Sequence, residues 1–221
     1  MIKIKWLGHA CYKIYFDDIQ CVIDPFEKGY VPGYRDIQTS ADIVLASHMH
    51  NDHYGLMEVQ QLLRLVHGVE VTKVDTFHDD ENGTLRGNNI VHIMEYNGVK
   101  IAHFGDIGHI LTKEQVQQIG DVDVAIVPIG GTYTVRAPQA KVICEQVNAK
   151  VVIPMHYRTG EQGFSVLETS EEFESLFSKV VHLDSDEYIV EENGCNVDEY
   201  DDVVSETRET TGQKVVVLTY R

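Results

Sequence analysis

The sequence predicts an α+β fold in which two β-sheets pack together and helices lie outside them. Three observations carry this prediction. The first half of the chain consists mostly of short runs with strand-like alternation. Asn97-Gly98, the strongest short hairpin signal, separates two apolar runs. Helix and strand patterns then alternate from residue 112 onward, which is typical of helices packed on a sheet.

In the first half of the chain, strand patterns cover residues 1–6, 11–16, 19–23 and 43–46. We expect the strand at 43–46 to be buried on both faces. Apolar residues from Leu56 to Val66 follow a 3-3-1-3 spacing, which predicts a helix over 54–66. Further strands are predicted at 69–77, 90–96 and 99–104.

In the second half, Thr112 with Gln115 three residues later predicts a capped helix that ends near Gly120. Predicted strands cover 122–129, 150–154, 180–183, 188–190 and 214–220, and predicted helices cover 137–147 and 170–177. The acidic segment 191–211 has few apolar residues and is predicted to be a loop. No linker or repeat divides the chain, so residues 1–221 are predicted to form one domain.

Composition narrows the class of partner. The chain has 35 acidic and 18 basic residues, a net charge of -17, which argues against nucleic acid and leaves a small-molecule substrate. The N-terminus lacks the apolar core of a signal peptide, and no window is long enough for membrane insertion. The four cysteines have no CxxC spacing, so we expect buried free thiols and a cytoplasmic protein.

The most informative motif is a dense group of metal-ligand residues directly after the apolar run 41–47. His48, His50, Asp52 and His53 lie within six positions. His48 and His50 are two residues apart, so both side chains can point towards one ion, whereas Asp52 and His53 are adjacent and diverge towards a second. A solvated polar turn is the alternative, but packing does not explain this composition. The motif predicts a metal site.

Three more ligand candidates each follow an apolar run. His78 follows the strand at 71–77, Asp106 follows Ile101-Ala102-His103-Phe104-Gly105, and His156 follows the strand at 151–154. Loops at the ends of strands are where residues that carry chemistry gather. We therefore expect these residues to complete the metal site.

The order HxHxDH, a lone His, His-Phe-Gly-Asp and Pro-Met-His-Tyr resembles the metallo-β-lactamase-fold hydrolases, over about residues 1–160. Within that superfamily the chain is similar to the branch of small hydrolases that includes the ascorbate-6-phosphate lactonases. The motifs that carry this narrower likeness are Gly8-His9-Ala10, Ile23-Asp24-Pro25, His78-Asp79-Asp80 with Gly87-Asn88, and Gly105-Asp106-Ile107-Gly108-His109. The resemblance implies a four-layer αββα sandwich.

The resemblance also implies a ligand set for two divalent metal ions. One ion would be held by His48, His50 and His78. The second would be held by Asp52, His53 and His156. Asp106 would bridge the two ions. Zinc or manganese fits these ligands, and iron also fits. The related flavo-diiron oxidoreductases carry glutamate where this chain has His50, which favours hydrolysis. Asp52 would also orient the attacking hydroxide.

Five further residues are candidates for contact with substrate or ligands. His9 either faces the metal pocket as a catalytic residue or lies in a surface turn. Asp24 either hydrogen-bonds ligating histidines or is an ordinary strand-end carboxylate. His109 is a weaker candidate for lining the pocket. Tyr157 and Arg158 follow His156 and would stand near substrate, although Arg158 could instead form a structural salt bridge.

Two functions follow from these observations. The leading hypothesis is a metal-dependent hydrolase that activates water at a dinuclear site and acts on a small anionic lactone or phosphoester. The alternative is a non-catalytic metal-binding protein that keeps the fold. RNA processing fits poorly, because the charge has the wrong sign. By analogy with the related lactonases, we also expect a homo-oligomer.

Overall fold

The computed structural model describes residues 1–190 and 212–221, and it contains two large β-sheets and three helices. The α+β class predicted from the sequence is therefore confirmed. The strands are β1 Ile2–Gly8, β2 Cys11–Phe16, β3 Ile19–Ile23, β4 Thr39–Ala41, β5 Ile43–Leu45, β6 Val59–Gln61, β7 Glu70–Phe77, β8 Asn88–Tyr96, β9 Val99–His103, β10 Val124–Pro128, β11 Val151–Met155, β12 Lys179–Leu183, β13 Glu187–Val190 and β14 Lys214–Leu218. The helices are α1 Lys113–Ile119, α2 Ala137–Gln146 and α3 Glu171–Ser175.

The first large sheet has the order β13-β1-β2-β3-β5. In β1 the burial alternates, so that Ile2, Ile4 and Trp6 point into the core while Lys3 and Lys5 lie on the outer face. β1, β2 and β3 pair antiparallel through tight connections. This sheet therefore has one apolar inner face and one polar outer face.

The second large sheet has the order β12-β14-β11-β10-β9-β8-β7. β7, β8 and β9 are antiparallel, and the asparagine–glycine hairpin predicted between β8 and β9 is present. From β9 onward the strands pair in parallel, and every residue of the central strand β10 is buried. α1 contacts β7 and α2 contacts β10, and α1 begins with the predicted capping box of Thr112 and Gln115.

The helix predicted over 54–66 is wrong. The segment contains only a 3-10 turn at Leu56–Glu58 and then β6, which pairs in parallel with β4. Of the apolar positions that suggested a helical face, only Val59 is buried, and Leu63 is 99 % exposed. Gly55 lies against the backbone of Phe26, where a Cβ atom would be 2.4 Å away, so the segment begins packed against the chain after β3.

The strand predicted at 43–46 is present as β5, but it is not buried on both faces. All three of its residues are half-buried, because β5 is the last strand of its sheet. The loop predicted at 191–211 lies outside the described residues. No helix within residues 1–190 and 212–221 is long and apolar enough to cross a membrane. Cys11, Cys21 and Cys144 are buried free thiols, as expected.

Candidate metal centre

The histidine cluster forms a tight loop directly after β5. The backbone N–H of His53 donates to the carbonyl of His50 at 2.8 Å, which turns the chain back on itself. The ring of His48 lies 4.7 Å from that of His50 and 4.3 Å from that of His53, between ring centres. His48 and His53 are buried, whereas His50 is exposed. The cluster therefore opens to solvent on the His50 side.

The three remaining ligand candidates reach the cluster from strand ends of the second sheet. His78 directly follows β7, His156 directly follows β11, and Asp106 lies just beyond β9. Asp106 Oδ2 is 3.3 Å from His78 Nε2 and 3.1 Å from His156 Nε2, while its Oδ1 is 3.1 Å from His53 Nε2. A single buried carboxylate therefore faces histidines from three separate segments.

The ligand atoms fall into overlapping groups whose members lie within 4.8 Å of one another. The first group is His48, His50 and His78. The second is His9, Asp52, His53 and His156. The third group, His48, His53 and Asp106, shares a residue with each of the other two. The family resemblance implied the same residues for two ions, apart from His9, which the geometry adds to the second group.

The donor atoms of this cluster fit a divalent cation. His48 Nε2, His53 Nε2, His156 Nε2 and Asp106 Oδ1 are buried, and none makes a well-aligned hydrogen bond with a described residue, although His53 and His156 lie 3.1 Å from the Asp106 carboxylate. Buried polar atoms are costly when they are unpaired, so atoms that converge without partners indicate a ligand. Imidazole nitrogens with carboxylate oxygens suit zinc, manganese or iron.

The ionisable groups of the cluster perturb one another strongly. Burial, with the nearby charge of His53, lowers the pKa of His48 to about 3, so His48 is held in the neutral form that binds metal. Burial also opposes protonation of His156, but the carboxylates of Asp106 and Asp52 outweigh it and raise the pKa to about 9. Burial would raise the pKa of Asp106, but the nearby charges of His156 and His53 outweigh it and hold that pKa well below its usual range.

Asp24 lies behind the cluster and is fully buried. Its Oδ1 accepts the backbone N–H of Ser47 at 2.6 Å, and its Oδ2 accepts the Ser47 hydroxyl at 2.7 Å and lies 2.9 Å from His53 Nδ1. Because the Asp24 carboxylate can only accept, His53 must carry its proton on Nδ1. Its Nε2 is then the ring nitrogen that faces Asp106.

His9 is fully buried, so the alternative of a surface-turn histidine is wrong. Its ring centre lies 4.1 Å from that of His156, and its Nε2 is 3.3 Å from Asp52 Oδ2. The turn that carries it is held in place because Trp6 Nε1 donates to the carbonyl of His9 at 3.0 Å. Gly8 precedes it with a φ of +115° and lies against the ring of Tyr34, where a side chain would clash.

Unlike Asp24 and His9, the other three candidates, His109, Tyr157 and Arg158, form no hydrogen bond or ring contact with a candidate ligand side chain in the part of the chain that the structure describes. His109 uses both ring nitrogens on backbone: its Nε2 accepts the N–H of Phe77 at 3.1 Å and its Nδ1 lies 2.8 Å from the carbonyl of Ile110. It therefore fixes the residue before His78. Tyr157 is buried and stacks on Trp6, in the core. Arg158 donates to the carbonyl of Gly160 and forms no ion pair with any other described residue.

Sequence reasoning assigned no role to two residues that hold the loops of the candidate ligands. Asn89 is fully buried; its Oδ1 accepts the backbone N–H of Asp106 at 2.9 Å, and its Nδ2 donates to the carbonyl of Phe104 at 2.9 Å. The Asp79 carboxylate accepts four backbone N–H groups of residues 81–86 and so shapes the loop after His78. Two signals could have pointed to them. Asn89 is a polar residue at the start of an apolar strand, and Asp79 directly follows the candidate ligand His78.

Comparison with known proteins identifies the family. The model of the β-lactamase superfamily domain matches residues 3–156, a span that includes every candidate ligand from His9 to His156. A UPF0173 metal-dependent hydrolase of Methanoregula boonei is 30% identical over 193 residues, covering 73% of this chain and 84% of that protein. The chain belongs to the UPF0173 family of metal-dependent hydrolases. A member from Thermococcus onnurineus is 28% identical over 193 residues, covering 72% of this chain and 86% of that protein.

A solved structure supports the same placement over the full length. A protein of Thermotoga maritima, assigned to the Zn-dependent hydrolases of the metallo-β-lactamase superfamily, is 33% identical and has a TM-score of 0.72. The match covers 99% of this chain and 98% of that one. The UPF0173 chain therefore has the metallo-β-lactamase fold, and it is a metal-dependent hydrolase.

Proposed function

We propose that this UPF0173 protein is a dinuclear metal hydrolase that acts on a small anionic lactone or phosphoester. In this proposal His48, His50 and His78 hold one ion, and Asp52, His53 and His156 hold the other. The observation that carries it is the position of Asp106, whose two carboxylate oxygens lie 3.1–3.3 Å from histidines of both groups. A carboxylate so placed can bridge two ions.

A bound divalent ion supplies hydroxide at neutral pH, because it lowers the pKa of the water it binds from about 15.7 to about 7. The protein's own part is to orient that group. We propose that His9 donates from Nε2 to Asp52 Oδ2, which are 3.3 Å apart, and so fixes the carboxylate. Asp52, held in this way, would bind the second ion and orient the attacking hydroxide. Burial lowers the pKa of His9 to about 4, so the ring carries one proton at neutral pH.

The surroundings of His9 support a small substrate. The ring of Phe164 lies 5.5 Å from that of His9, and the half-exposed ring of Tyr30 lies 6.0 Å beyond it. Together they form an aromatic wall beside the second ligand group. Arg158, which pairs with no described carboxylate, is the proposed contact for an anionic group of the substrate. A closer relation to the ascorbate-6-phosphate lactonases is proposed on the motifs around His9 and Asp106.

The remaining expectations are proposals of the same kind. We propose that residues 1–221 form one domain, in which β14 pairs with β11 and β12 and ties the end of the chain into the second sheet. A homo-oligomer in the cytoplasm remains the proposed state of the protein.

The test combines metal analysis with substrate panels. The purified protein is expected to contain about two equivalents of zinc or manganese by mass spectrometry and to hydrolyse members of a lactone or phosphodiester panel. Asp106→Asn should lose metal and lower kcat/KM by more than the roughly 10–100-fold that loss of an outer partner costs. Asp80→Asn is the matched control, because Asp80 is adjacent to the ligand loop but exposed.

One outcome would favour the alternative of a non-catalytic metal-binding protein. That outcome is full metal occupancy in the wild type with no turnover of any panel member. Occupancy by one ion, unchanged by Asp106→Asn, would contradict the dinuclear arrangement even if hydrolysis were observed.

A further inference from the structure

A second region of interest lies on the outer face of the first sheet. A cavity of about 820 Å³ is formed there by β1, β2, the segment before β4 and the last two residues of the chain. None of the candidate metal ligands lines it. Four basic residues do: Lys5, Lys13, Arg35 and Arg221. This concentration of positive charge is unexpected in a chain whose net charge is -17, and we call it the basic cavity.

Lys13 is the least ordinary of these residues. It is 7% exposed, and the register of β1 and β2 places it directly opposite Lys5, an arrangement of like charges that is destabilising. Its Nζ donates to Thr39 Oγ1 at 2.9 Å and lies 5.0 Å from the centre of the Tyr15 ring. It forms no ion pair with any other residue that the structure describes. Burial, with the charges of Lys3 and Lys5, lowers the pKa of Lys13.

The carboxylates that line the basic cavity are already paired. Asp36 is 3.2 Å from Lys28, and Asp186 is 3.4 Å from Lys5. Arg221 pairs with Asp184, which lies outside the cavity lining. The Arg35 side chain has no ion-pair partner within the described ranges, while its backbone N–H is fixed by the hydroxyl of Tyr220 at 3.0 Å. Lys13 and Arg35 are therefore two cations of the cavity lining that form no ion pair with any described residue.

We propose that the basic cavity binds a small organic phosphate. A phosphate monoester carries between one and two negative charges at neutral pH, which matches the two uncompensated cations. The rings of Tyr15, Tyr34 and Tyr220 also line the cavity, and they provide contact for the organic part of the ligand. The volume lies in the range of small-molecule sites. The site is separate from the metal centre and goes beyond the proposed hydrolysis.

Calorimetric titration of the metal-loaded full chain with phenylphosphonate tests the proposal, because the C–P bond of this probe resists hydrolysis. We expect saturable binding that weakens as ionic strength rises. Lys13→Met and Arg35→Gln should each raise Kd about tenfold or more, since each removes a charge-assisted hydrogen bond to the phosphate. Inorganic phosphate, which lacks the ring, should bind more weakly.

Two controls separate the basic cavity from other sites. Asp106→Asn alters the metal centre and should leave this binding intact, and Lys73→Met removes an exposed lysine from the other sheet and should also leave it unchanged. Arg35 is exposed, so Arg35→Gln keeps the test valid if Lys13→Met folds poorly. Absence of saturable binding, or binding that is lost in Asp106→Asn but kept in both cavity variants, would overturn the proposal. Equal affinity for inorganic phosphate and phenylphosphonate would overturn the claim that the tyrosine rings contact the organic part of the ligand.

Discussion

At the scale of single residues, the geometry of the candidate metal centre depends on groups that are not themselves candidate ligands. Asp24 sets the tautomer of His53, and Asn89 fixes the backbone of Asp106. Both are fully buried; Asp24 directly follows β3, and Asn89 lies near the start of β8. The precision of the centre therefore comes from hydrogen bonds behind the ligands.

Asp24→Asn tests this dependence. The amide replaces one acceptor oxygen with a donor, so it conflicts with the N–H and O–H groups of Ser47 or with His53 Nδ1. We expect metal affinity to fall roughly 10–100-fold, measured by competition with a chelator, while circular dichroism shows a folded protein. Unchanged affinity would mean that the orientation of His53 does not depend on Asp24.

His92 gives a pH prediction away from the ligands. It is buried in β8, and burial, with the charges of His103 and Lys73, lowers its pKa to about 4. The folded state therefore resists protonation that the unfolded chain accepts near 6.5, so stability is present above pH 6.5 and is lost as the pH falls towards 4.

The loss attributable to His92 is about 3 kcal/mol at most. Urea unfolding of the wild type and of His92→Gln, followed from neutral to acid pH, measures it. The difference in unfolding free energy between the two proteins should change by that order between pH 6.5 and 4. Parallel pH profiles would show that His92 does not titrate in this window.

At the scale of elements, local sequence signals succeeded where the element also makes its own contacts. Thr112 and Gln115 cap α1 by bonding to each other's backbone, and the hairpin at Asn97-Gly98 needs only its own two strands. The helix over 54–66 failed, because an apolar spacing forms a helix only where a surface receives its face. That segment instead pairs β6 with β4, a parallel contact that periodicity cannot reveal.

The same contrast applies to the site. Strand ends marked the candidate ligands, since the end of an apolar run is visible in the sequence. The burial of His9 was not visible, because it depends on Tyr34, which packs against Gly8 from a distant part of the chain. Arg158 and Tyr157 were judged by adjacency to His156, yet successive residues point in different directions, and Tyr157 packs in the core.

Gly105, in the turn after β9, directly precedes Asp106 and sets the backbone position of that residue. Its φ is +54°, and a Cβ there would lie 2.3 Å from Asn89 Oδ1 and 2.4 Å from Ser47 Cβ. We expect Gly105→Ala to lower the unfolding free energy by more than the roughly 1–2 kcal/mol that left-handed backbone alone costs, and to lower metal content.

Gly29→Ala is the matched control for that prediction. Gly29 also has a positive φ, +68°, but nothing lies within 4 Å of the position of its Cβ. Chemical unfolding should therefore show only the backbone cost for Gly29→Ala, with normal metal content by mass spectrometry. Equal losses in the two variants would mean that the contacts of Gly105 with Asn89 and Ser47 carry no weight.

At the scale of the whole molecule, the topology gathers candidate ligands that lie far apart in the chain. β5 ends the first sheet, and the loop after it meets the ends of β7, β9 and β11 from the second sheet. Both sheets contribute to one continuous core, so displacing either sheet moves ligands of both groups. Metal binding should therefore stabilise the entire fold and not only the loops.

Removal of metal should accordingly lower the melting temperature. An ion at about 100 times its Kd contributes about 2.7 kcal/mol, which corresponds to roughly 5–10 °C for a chain of this size. Calorimetry with and without a chelator measures the shift, and added zinc or manganese should reverse it, whereas magnesium should not, because it prefers an all-oxygen shell. In Asp106→Asn the chelator should have a smaller effect. If the wild type and this variant respond equally, the stabilising ion is bound elsewhere than between the two sheets.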